Sequence, residues 1–241
     1  MIIAGVEEAG RGPVIGPLVM AITCVKEEDE FKLKALGVKD SKLLTPLQRE
    51  RLFDEIKDLC KYEIIIIPPE KVDEAVNSEE TNLNWLEADT SIRLINKLRP
   101  EQVTLDCPST NIEAYKEYVA KRLDYKPKLV VEHKADLNYT IVGAASILAK
   151  VTRDAEIEKI KKKYNIQFGS GYPSDSFTIK FIQDNFDKYP IFRKSWSTWQ
   201  KVADKKKQKF KKEFLKKKRK KLYLLFSLYS YCFKSTQYFN R

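Results

Sequence analysis

Apolar and polar stretches follow one another along the chain in a pattern that predicts an α/β protein. Five short apolar runs have the length of buried strands, at residues 2–4, 18–25, 62–67, 103–105 and 129–132. Four longer stretches are predicted as helices, at residues 45–59, 81–98, 111–123 and 139–164. The order is three strands followed by alternating helices and strands, which predicts a mixed sheet with helices on its faces.

Capping and turn residues mark several boundaries between these elements. Thr45 and Pro46 are typical of a helix start, with Thr as the cap and Pro at the first helical position. Asn111 is expected to cap the helix that follows it. The charged residues 26–30 are interpreted as a turn between strands, and the prolines at 68–69 as the end of the third strand.

The chain is interpreted in three parts, at residues 1–164, 165–204 and 205–241. The first part is the α/β sheet domain. The second contains a turn-rich loop at residues 169–175, a short helix, and Trp196 and Trp199, which are expected to cover the main core. The third is a tail that is first basic and then apolar.

The net charge of +11 on the 241-residue chain is concentrated in this tail. Residues 1–200 contain 30 basic and 32 acidic residues, whereas residues 201–221 contain 13 basic and 2 acidic residues. A basic tail on a neutral body suits a non-specific grip on nucleic acid, and the equal alternative is a solvated end. The apolar residues 222–233 are fewer than the ~20 needed to span a bilayer, so no membrane partner is expected.

Cysteine usage and the first residues bear on the compartment. The four cysteines show neither metal-type spacing nor a paired framework, which favours a reducing cytosol. The first apolar run is too short for a signal peptide and leads directly into charged residues. We therefore expect a cytoplasmic protein.

Residues 5–13, which read GVEEAGRGP, combine carboxylates with a glycine-rich loop. Two consecutive carboxylates at a strand end are unusual, because acidic residues are poor strand formers and costly to bury. Glu7 and Glu8 can share one site only if the strand ends or bulges there, and we expect the following glycines and proline to supply that break. Arg11 offers a planar fork that suits phosphate. The alternative is a polar turn whose charges lie in water.

Carboxylates also follow two later strands. Asp106 and Asp136 lie, like Glu7 and Glu8, at or just past strand ends, which can converge at one edge of such a sheet. Like charges repel unless hard cations neutralise them, and oxygen-only ligands favour Mg²⁺ or Mn²⁺. Two such ions about 4 Å apart can hold the attacking and leaving oxygens of a phosphodiester. The pattern therefore indicates metal-assisted phosphodiester hydrolysis, although Asp106 or Asp136 alone also suits a helix cap or a turn.

Five motifs occur in unbroken order over about residues 1–200. They are Glu7-Glu8 with the run at residues 10–18, Asp40-Ser41-Lys42, and the stretches at residues 105–111, 132–150 and 169–175. Together they closely resemble the ribonuclease HII family, in the archaeal style. The resemblance implies a ribonuclease H-like fold, a mixed sheet flanked by helices, with an added helical C-terminal part. It also implies cleavage of RNA in RNA–DNA hybrids, including a single ribonucleotide embedded in duplex DNA.

The resemblance also assigns roles to residues of this chain. It implies that four carboxylates are catalytic and bind two Mg²⁺ or Mn²⁺ ions: Glu7, Glu8, Asp106 and Asp136. It implies that the loop reading the ribose 2′-hydroxyl at an RNA–DNA junction is formed by Gly10, Arg11 and Gly12. Such a role is chemically reasonable, because the 2′-hydroxyl is what separates RNA from DNA.

Further substrate contacts follow from the same resemblance. Tyr172 is expected to stack on the adjacent deoxyribose, and Ser41 and Lys42 to hold a backbone phosphate. The alternatives are that Tyr172 is a loop aromatic filling a groove and Lys42 an ordinary surface lysine. His133, the only histidine of the chain, is expected to be a hydrogen-bonded residue near a strand end, with a catalytic role as the alternative.

The chain departs from the family pattern at two places. The usual first carboxylate is Asp, and Glu7 reaches one methylene further; Mg²⁺ tolerates misplaced ligands poorly. A catalytically weakened homologue that binds hybrids is therefore an alternative function, and a superfamily nuclease acting on DNA is a third. Family members often end in a sliding-clamp-binding motif, which Gln208 with residues 214–215 imitates poorly because Lys211 occupies an apolar position. We expect a monomer.

Overall fold

The computed structural model describes residues 1–38 and 44–237, with residues 220, 221 and 223–237 described as backbone only. Over these residues it contains one five-stranded sheet, formed by β1 (Ile2–Ala9), β2 (Leu18–Lys26), β3 (Lys61–Ile67), β4 (Gln102–Asp106) and β5 (Lys128–Glu132). The strand order is β3-β2-β1-β4-β5. Strand β2 is antiparallel to β1 and β3, and β4 is parallel to β1 and β5. The predicted mixed sheet is therefore confirmed.

Helices connect and cover the strands. They are α1 (Glu30–Ala35), α2 (Pro46–Leu59), α3 (Pro69–Val76), α4 (Leu83–Leu98), α5 (Ile112–Arg122), α6 (Ala135–Asn138), α7 (Thr140–Tyr164), α8 (Ser176–Asn185) and α9 (Ser197–Gln237). The capping predictions are confirmed. The N–H of Gln48 donates to the Thr45 hydroxyl at 3.3 Å, and the N–H of Ala114 donates to Asn111 Oδ1 at 3.0 Å. These side chains satisfy N–H groups that have no partner inside their helices.

Two segments differ from the sequence prediction. Residues 26–30 do not form a turn between strands, because Glu27–Asp29 is a short 3₁₀ helix that runs into α1. Its three consecutive acidic residues suit the positive end of a helix dipole. The prolines at 68–69 end β3 as predicted, but Pro69 also begins α3, since proline is tolerated in the first turn of a helix.

The two faces of the sheet carry separate apolar cores, because side chains alternate along each strand. On one face, Ile3 and Ala21 pack with the apolar side of α7. On the other face, Val6 and Ile22 pack with residues of α4 and α5. Helix α7 comes very close to the sheet at Gly5, where an added Cβ would lie 2.5 Å from the backbone of Ile141. Glycine at this position thus allows α7 to lie directly on β1.

A third apolar cluster joins the C-terminal part to the loop after β1. Its buried members are Val14, Ile15, Ile157, Ile166, Phe168, Ile182, Ile191 and Phe192. Trp196 packs against this cluster and against the sheet core beneath α4. Trp199 packs on the third cluster instead, where its indole N–H donates to the carbonyl of Phe186 at 2.9 Å. The prediction that both tryptophans cover the main core therefore holds only for Trp196.

The basic tail continues α9, which has 41 residues. Ala203 is buried, whereas the side chains of residues 204–219 are exposed. Across the described residues, no helix combines the length and the apolar character required to cross a membrane. The division of the chain at residues 164 and 204 stays a prediction.

Candidate active site

Strand β1 carries both of its glutamates in regular pairing with β2. Glu7 lies opposite Ala21, Glu8 opposite Met20, and Ala9 still lies opposite Val19. The break predicted at the two glutamates is wrong, because the strand continues through both of them and ends at Ala9. Consecutive side chains of an unbroken strand point to opposite faces, so Glu7 and Glu8 leave β1 on opposite sides of the sheet.

Three of the four predicted metal-binding carboxylates come together. One carboxylate oxygen from each of Glu7, Asp106 and Asp136 lies within 4.8 Å of the other two. Asp106 is the last residue of β4, which runs parallel to β1 with Leu105 opposite Val6. Its Oδ1 accepts a hydrogen bond of 2.8 Å from the N–H of Lys134. This bond ties the start of α6, which carries Asp136, to the end of β4.

Glu8 is not a member of this three-residue group, but it lies in the same electrostatic environment. The pKa of Glu8 is raised to about 7, mainly by burial and also by the nearby Asp106, while the Arg11 guanidinium acts to lower it. Burial also raises the pKa of Glu7 well above its ordinary value, and the nearby Glu8, Asp106 and Asp136 add to the rise. Four carboxyl groups therefore repel one another around the ends of β1 and β4.

The donor set fits a divalent cation. Glu7 is only 8% exposed, and its Oε2 has no hydrogen-bond partner among the residues that the structure describes. A buried carboxylate oxygen without a partner is costly, and a bound cation removes that cost together with the mutual repulsion. Oxygen-only ligands are those that Mg²⁺ and Mn²⁺ prefer.

The loop of residues 10–12 follows β1 directly, as the sequence places it. Gly10 has a φ of 87°, a conformation that favours glycine. The guanidinium of Arg11 is turned toward α4, where Nη1 bonds the carboxylate of Glu87 and Nη2 donates to Asn84 Oδ1 at 2.7 Å. Two of its nitrogens are thus engaged within the protein, and phosphate binding by Arg11 stays a prediction.

Tyr172 lies beside this loop. A Cβ built on Gly12 would be 3.4 Å from Cε1 of the tyrosine ring. The ring is 36% exposed, and the guanidinium of Arg153 lies 5.4 Å from its centre on one face. Ser41 and Lys42 lie outside the described residues, so their predicted contact with phosphate is not placed.

The structure bears on His133 and Asp136, for both of which the sequence left two interpretations open. The Nδ1 of His133 lies 3.0 Å from the carbonyl oxygen of Cys107, which confirms a hydrogen-bonded histidine near a strand end. Asp136 does not cap the long helix, because it lies inside α6 and the residue preceding α7 is Tyr139. Its separate short helix turns Asp136 toward Glu7 and Asp106.

Sequence reasoning missed three residues that surround the 10–12 loop, namely Asn84, Glu87 and Arg193. Glu87 is 1% exposed on the sheet-facing side of α4, and burial raises its pKa to about 8. The sequence did contain a signal for Glu87, because its spacing of four residues from Ser91, and of eight from Ile95, places it on the same buried face of the helix. Arg193 is fully buried in a connecting segment and had no comparable signal.

Comparison with known proteins decides the family. A family model described as ribonuclease HII matches residues 4–199. This chain belongs to the ribonuclease HII family. A ribonuclease HII from Pyrococcus abyssi is 47% identical over 212 residues, covering 85% of this chain and 92% of that protein.

Two solved structures share the fold along nearly their whole length. The ribonuclease H2 from Pyrococcus horikoshii OT3 is 42% identical, with a TM-score of 0.77 over 85% of this chain and 98% of that chain. The ribonuclease HII in a PCNA complex from Archaeoglobus fulgidus is 37% identical, with a TM-score of 0.75 over 82% of this chain and 96% of that chain.

Family membership confirms the resemblance found in the sequence. The mixed sheet with flanking helices is the ribonuclease H-like fold of the solved ribonuclease HII structures. The protein is a ribonuclease of the H type, an enzyme that acts on RNA–DNA hybrids and depends on divalent metal. In this chain, the grouped carboxylates of Glu7, Asp106 and Asp136 are the candidate ligands for such a metal.

Proposed function

We propose that this enzyme is an endonuclease that cuts the RNA strand of RNA–DNA hybrids and also cuts at single ribonucleotides embedded in duplex DNA. Cleavage leaves a 5′-phosphate and a 3′-hydroxyl. The observation that carries the proposal is the convergence of Glu7, Asp106 and Asp136 at the end of a strand that leads directly into the 10–12 loop. A cation-binding group and a ribose-sensing loop are thereby joined by one strand.

The cation-binding residues in this proposal are Glu7, Asp106 and Asp136, with Glu8 beside them. Two Mg²⁺ or Mn²⁺ ions held there supply Lewis-acid activation of water and stabilisation of the leaving oxygen. Glu7 and Asp136 are buried, so their carboxylates hold the proposed cation site at a fixed position relative to the sheet. Asp106 is more accessible at its edge, where a phosphodiester can approach.

The substrate-binding residues lie on the loops around this edge. Gly10, Arg11 and Gly12 contact the ribose 2′-hydroxyl, and Tyr172 stacks on the adjacent deoxyribose. The half-exposed ring of Tyr172 beside Gly12 supports this pairing of roles. Ser41 and Lys42 hold a backbone phosphate in the same proposal.

A sliding clamp is a further candidate partner. The Archaeoglobus fulgidus ribonuclease HII is solved in a complex with PCNA. Phe214 and Leu215 are exposed on α9 of this chain, although Lys211 interrupts the clamp-binding pattern. Co-elution of the full chain with a clamp from the same organism, abolished in a Phe214→Ala/Leu215→Ala variant, would support the partnership.

One cleavage experiment tests the proposed function. The protein is incubated with a duplex that carries one ribonucleotide, in Mg²⁺ or in Mn²⁺, and the cut is mapped at nucleotide resolution. An all-DNA duplex of the same sequence is the substrate control, and Asp136→Asn is the protein control. We expect a cut on the 5′ side of the ribonucleotide, none in the all-DNA duplex, and none with the variant.

The other outcomes correspond to the alternative functions. Binding of the ribonucleotide duplex without cleavage in either metal would indicate a catalytically weakened homologue, with Glu7 as the distinguishing residue. Cleavage of the all-DNA duplex would indicate a different nuclease activity and would overturn the proposal.

A further inference from the structure

Three consecutive carbonyls of the 10–12 loop accept hydrogen bonds from a single segment, residues 193–196, which lies more than 180 positions later in the chain. Arg193 Nη2 donates to the carbonyl of Gly10 at 2.6 Å, and its Nη1 donates to that of Arg11 at 2.9 Å. The indole N–H of Trp196 donates to the carbonyl of Gly12 at 3.1 Å. The third guanidinium nitrogen, Nε of Arg193, donates to the carbonyl of Gly16 at 3.1 Å.

The buried guanidinium of Arg193 holds this loop in place. The residue is fully buried, and a buried guanidinium is costly unless its donors are satisfied. Its three nitrogens all donate to backbone carbonyls between Gly10 and Gly16. Because its partners are backbone carbonyls and not carboxylates, the Arg193 guanidinium serves to fix the path of the backbone from Gly10 to Gly16.

The segment of residues 193–196 is itself held in place. The carboxylate of Asp73, on α3, accepts from the N–H of Lys194 at 2.8 Å and from the N–H and hydroxyl of Ser195 at 2.9 and 2.5 Å. The N–H of Arg193 donates to the carbonyl of Val14 at 2.9 Å. The segment therefore acts as a rigid support between α3 and the loop.

The orientation of the loop's N–H groups follows from peptide geometry. Each peptide bond here is trans, so the C=O and the N–H of one peptide unit point in opposite directions. The carbonyls of Gly10 and Arg11 point at Arg193, and the N–H groups of Arg11 and Gly12 therefore point away from it. The next residue, Pro13, has no N–H.

We infer that Arg193 and Trp196 are positioning residues for the 10–12 loop: Arg193 aims the N–H groups of Arg11 and Gly12 at the ribose 2′-oxygen of the substrate, and Trp196 holds the end of the loop at Gly12 so that these groups stay in place. The inference rests on the proposed function, in which the 10–12 loop contacts the 2′-hydroxyl. It assigns the discrimination between ribose and deoxyribose in part to residues more than 180 positions away in sequence. Neither side chain contacts the substrate in this arrangement.

The test compares two tryptophan variants that each lack one indole N–H. Trp196→Phe removes the donor to Gly12, whereas Trp199→Phe removes an equivalent donor to Phe186, which is outside the loop. For each protein we measure the affinity for a duplex with one ribonucleotide and for the same duplex in DNA, without divalent cation. The ratio of the two affinities is independent of the fraction of protein that is folded.

We expect Trp196→Phe to lower this ratio about fivefold, because a loop that has lost one supporting hydrogen bond holds its contact with the 2′-hydroxyl less well by about the worth of one such bond, and we expect Trp199→Phe to leave the ratio at the wild-type value. Arg193→Lys should lower it at least as far, because one ammonium group cannot reach three carbonyls as the fork does. Thermal unfolding of each variant is measured in parallel.

An unchanged ratio in Trp196→Phe, or an equal fall in Trp199→Phe, would overturn the positioning role while leaving the proposed function intact. A wild-type protein that shows no preference for the ribonucleotide duplex and does not cut it would instead overturn the proposed function, and this inference with it.

Discussion

At the scale of single residues, we expect the length of the Glu7 side chain to limit the rate of cleavage. Glu7 occupies the position at which the ribonuclease HII pattern usually has Asp, and its carboxylate meets those of Asp106 and Asp136. A ligand displaced by about 1 Å can cost ~100-fold in rate. We predict that Glu7→Asp cleaves a ribonucleotide-containing duplex faster in Mg²⁺, with a smaller gain in Mn²⁺.

The control for this change is Glu8→Asp, which shortens the neighbouring glutamate by the same methylene on the opposite face of β1. That variant should be slower than wild type in both metals. If Glu7→Asp is equal to or slower than wild type, the site has adapted to glutamate, and the departure from the family pattern carries no catalytic cost.

The raised pKa values of Glu7 and Glu8 make a second prediction, about the stability of the metal-free enzyme. Both groups keep their protons when folded at pH values where they release them when unfolded, from about pH 4.5 upward and, for Glu8, to about pH 7, so folding stability falls as pH rises. Each proton that differs between the two states contributes about 1.4 kcal/mol per pH unit. When a chelator keeps the enzyme free of metal, we expect its melting temperature to fall by several degrees between pH 5 and pH 7.5.

Glu7→Gln isolates this effect, because it removes the buried charge while keeping the shape. The variant should show a flatter profile, a higher melting temperature than wild type at pH 7.5 without metal, and a smaller stabilisation by added Mg²⁺. Glu79→Gln, at an exposed position, should follow the wild-type profile. A Glu7→Gln profile as steep as that of wild type would assign the pH dependence to other groups.

At the scale of elements, helix α7 packs closely on strands β1 and β2, and this packing places α6, which carries Asp136, near Glu7. The hydroxyl of Thr23 donates to the carbonyl of Ile141 at 2.8 Å, and Gly5 lies against the same turn of the helix. An added methyl at Gly5 would meet backbone atoms, which cannot rotate away. We predict that Gly5→Ala destabilises the protein by about 3 kcal/mol and lowers activity by moving α6 and α7 away from Glu7.

Gly37→Ala is a suitable comparison, measured by denaturant unfolding alongside Gly5→Ala. Gly37 has a φ of 82°, but no atom lies within 4 Å of the added Cβ. Its substitution should cost only about 1 kcal/mol from backbone strain and leave activity unchanged. Equal destabilisation of the two variants would contradict the close-packing argument for Gly5.

The helices and strands also show which structural features could be predicted from local sequence signals and which could not. Strands and helices with strong periodicity or a capping residue, such as Thr45 before α2 and Asn111 before α5, were predicted because their signals are local. Helix α3 was missed because a pair of prolines marks a strand end and a helix start equally well. The sequence did not show on which faces of the sheet Glu7 and Glu8 lie. Their faces depend on how far β1 stays paired with β2, and that pairing is a contact between distant parts of the chain.

The same contrast holds for the site. The carboxylates were predicted because each follows an apolar run, so that strand ends alone place them at one edge of the sheet. Glu87 was detectable only as a charge on a buried helix face. Arg193 was not detectable, since its contacts are with Gly10 and Arg11, which lie 183 and 182 positions away in sequence.

At the scale of the whole molecule, the N-terminal loop and the C-terminal part form one structural unit. Val14 and Ile15 from the loop after β1, and Ile157 from α7, complete the apolar cluster of the C-terminal part. The carbonyl of Gly171 accepts from the N–H of Val14 at 2.8 Å, close to the position of Tyr172. Residues on both sides of the predicted division at residue 164 therefore share one apolar cluster, and the proposed substrate-binding residues Gly12 and Tyr172 lie on the two sides of it.

The tail provides the prediction that belongs to the whole molecule. Residues 205–219 are exposed along α9 and carry most of the chain's excess positive charge, so they can bind nucleic acid without being required for folding. Each phosphate that the protein no longer neutralises reduces the slope of log affinity against log salt by about 0.9 for duplex DNA. We predict that truncation after Asp204 weakens hybrid binding at low salt and flattens this slope by the equivalent of several phosphates, with an unchanged melting temperature.

Truncation after residue 221 is the matched control, because it removes the apolar residues 222–241 and retains the basic run. It should keep the wild-type slope. If truncation after Asp204 leaves the slope unchanged, the basic run is a solvated extension, and binding of the hybrid rests on the sheet edge and its loops alone. If both truncations flatten the slope equally, binding by the tail depends on residues 222–241 instead, since the shorter truncation retains 13 basic residues between positions 201 and 221.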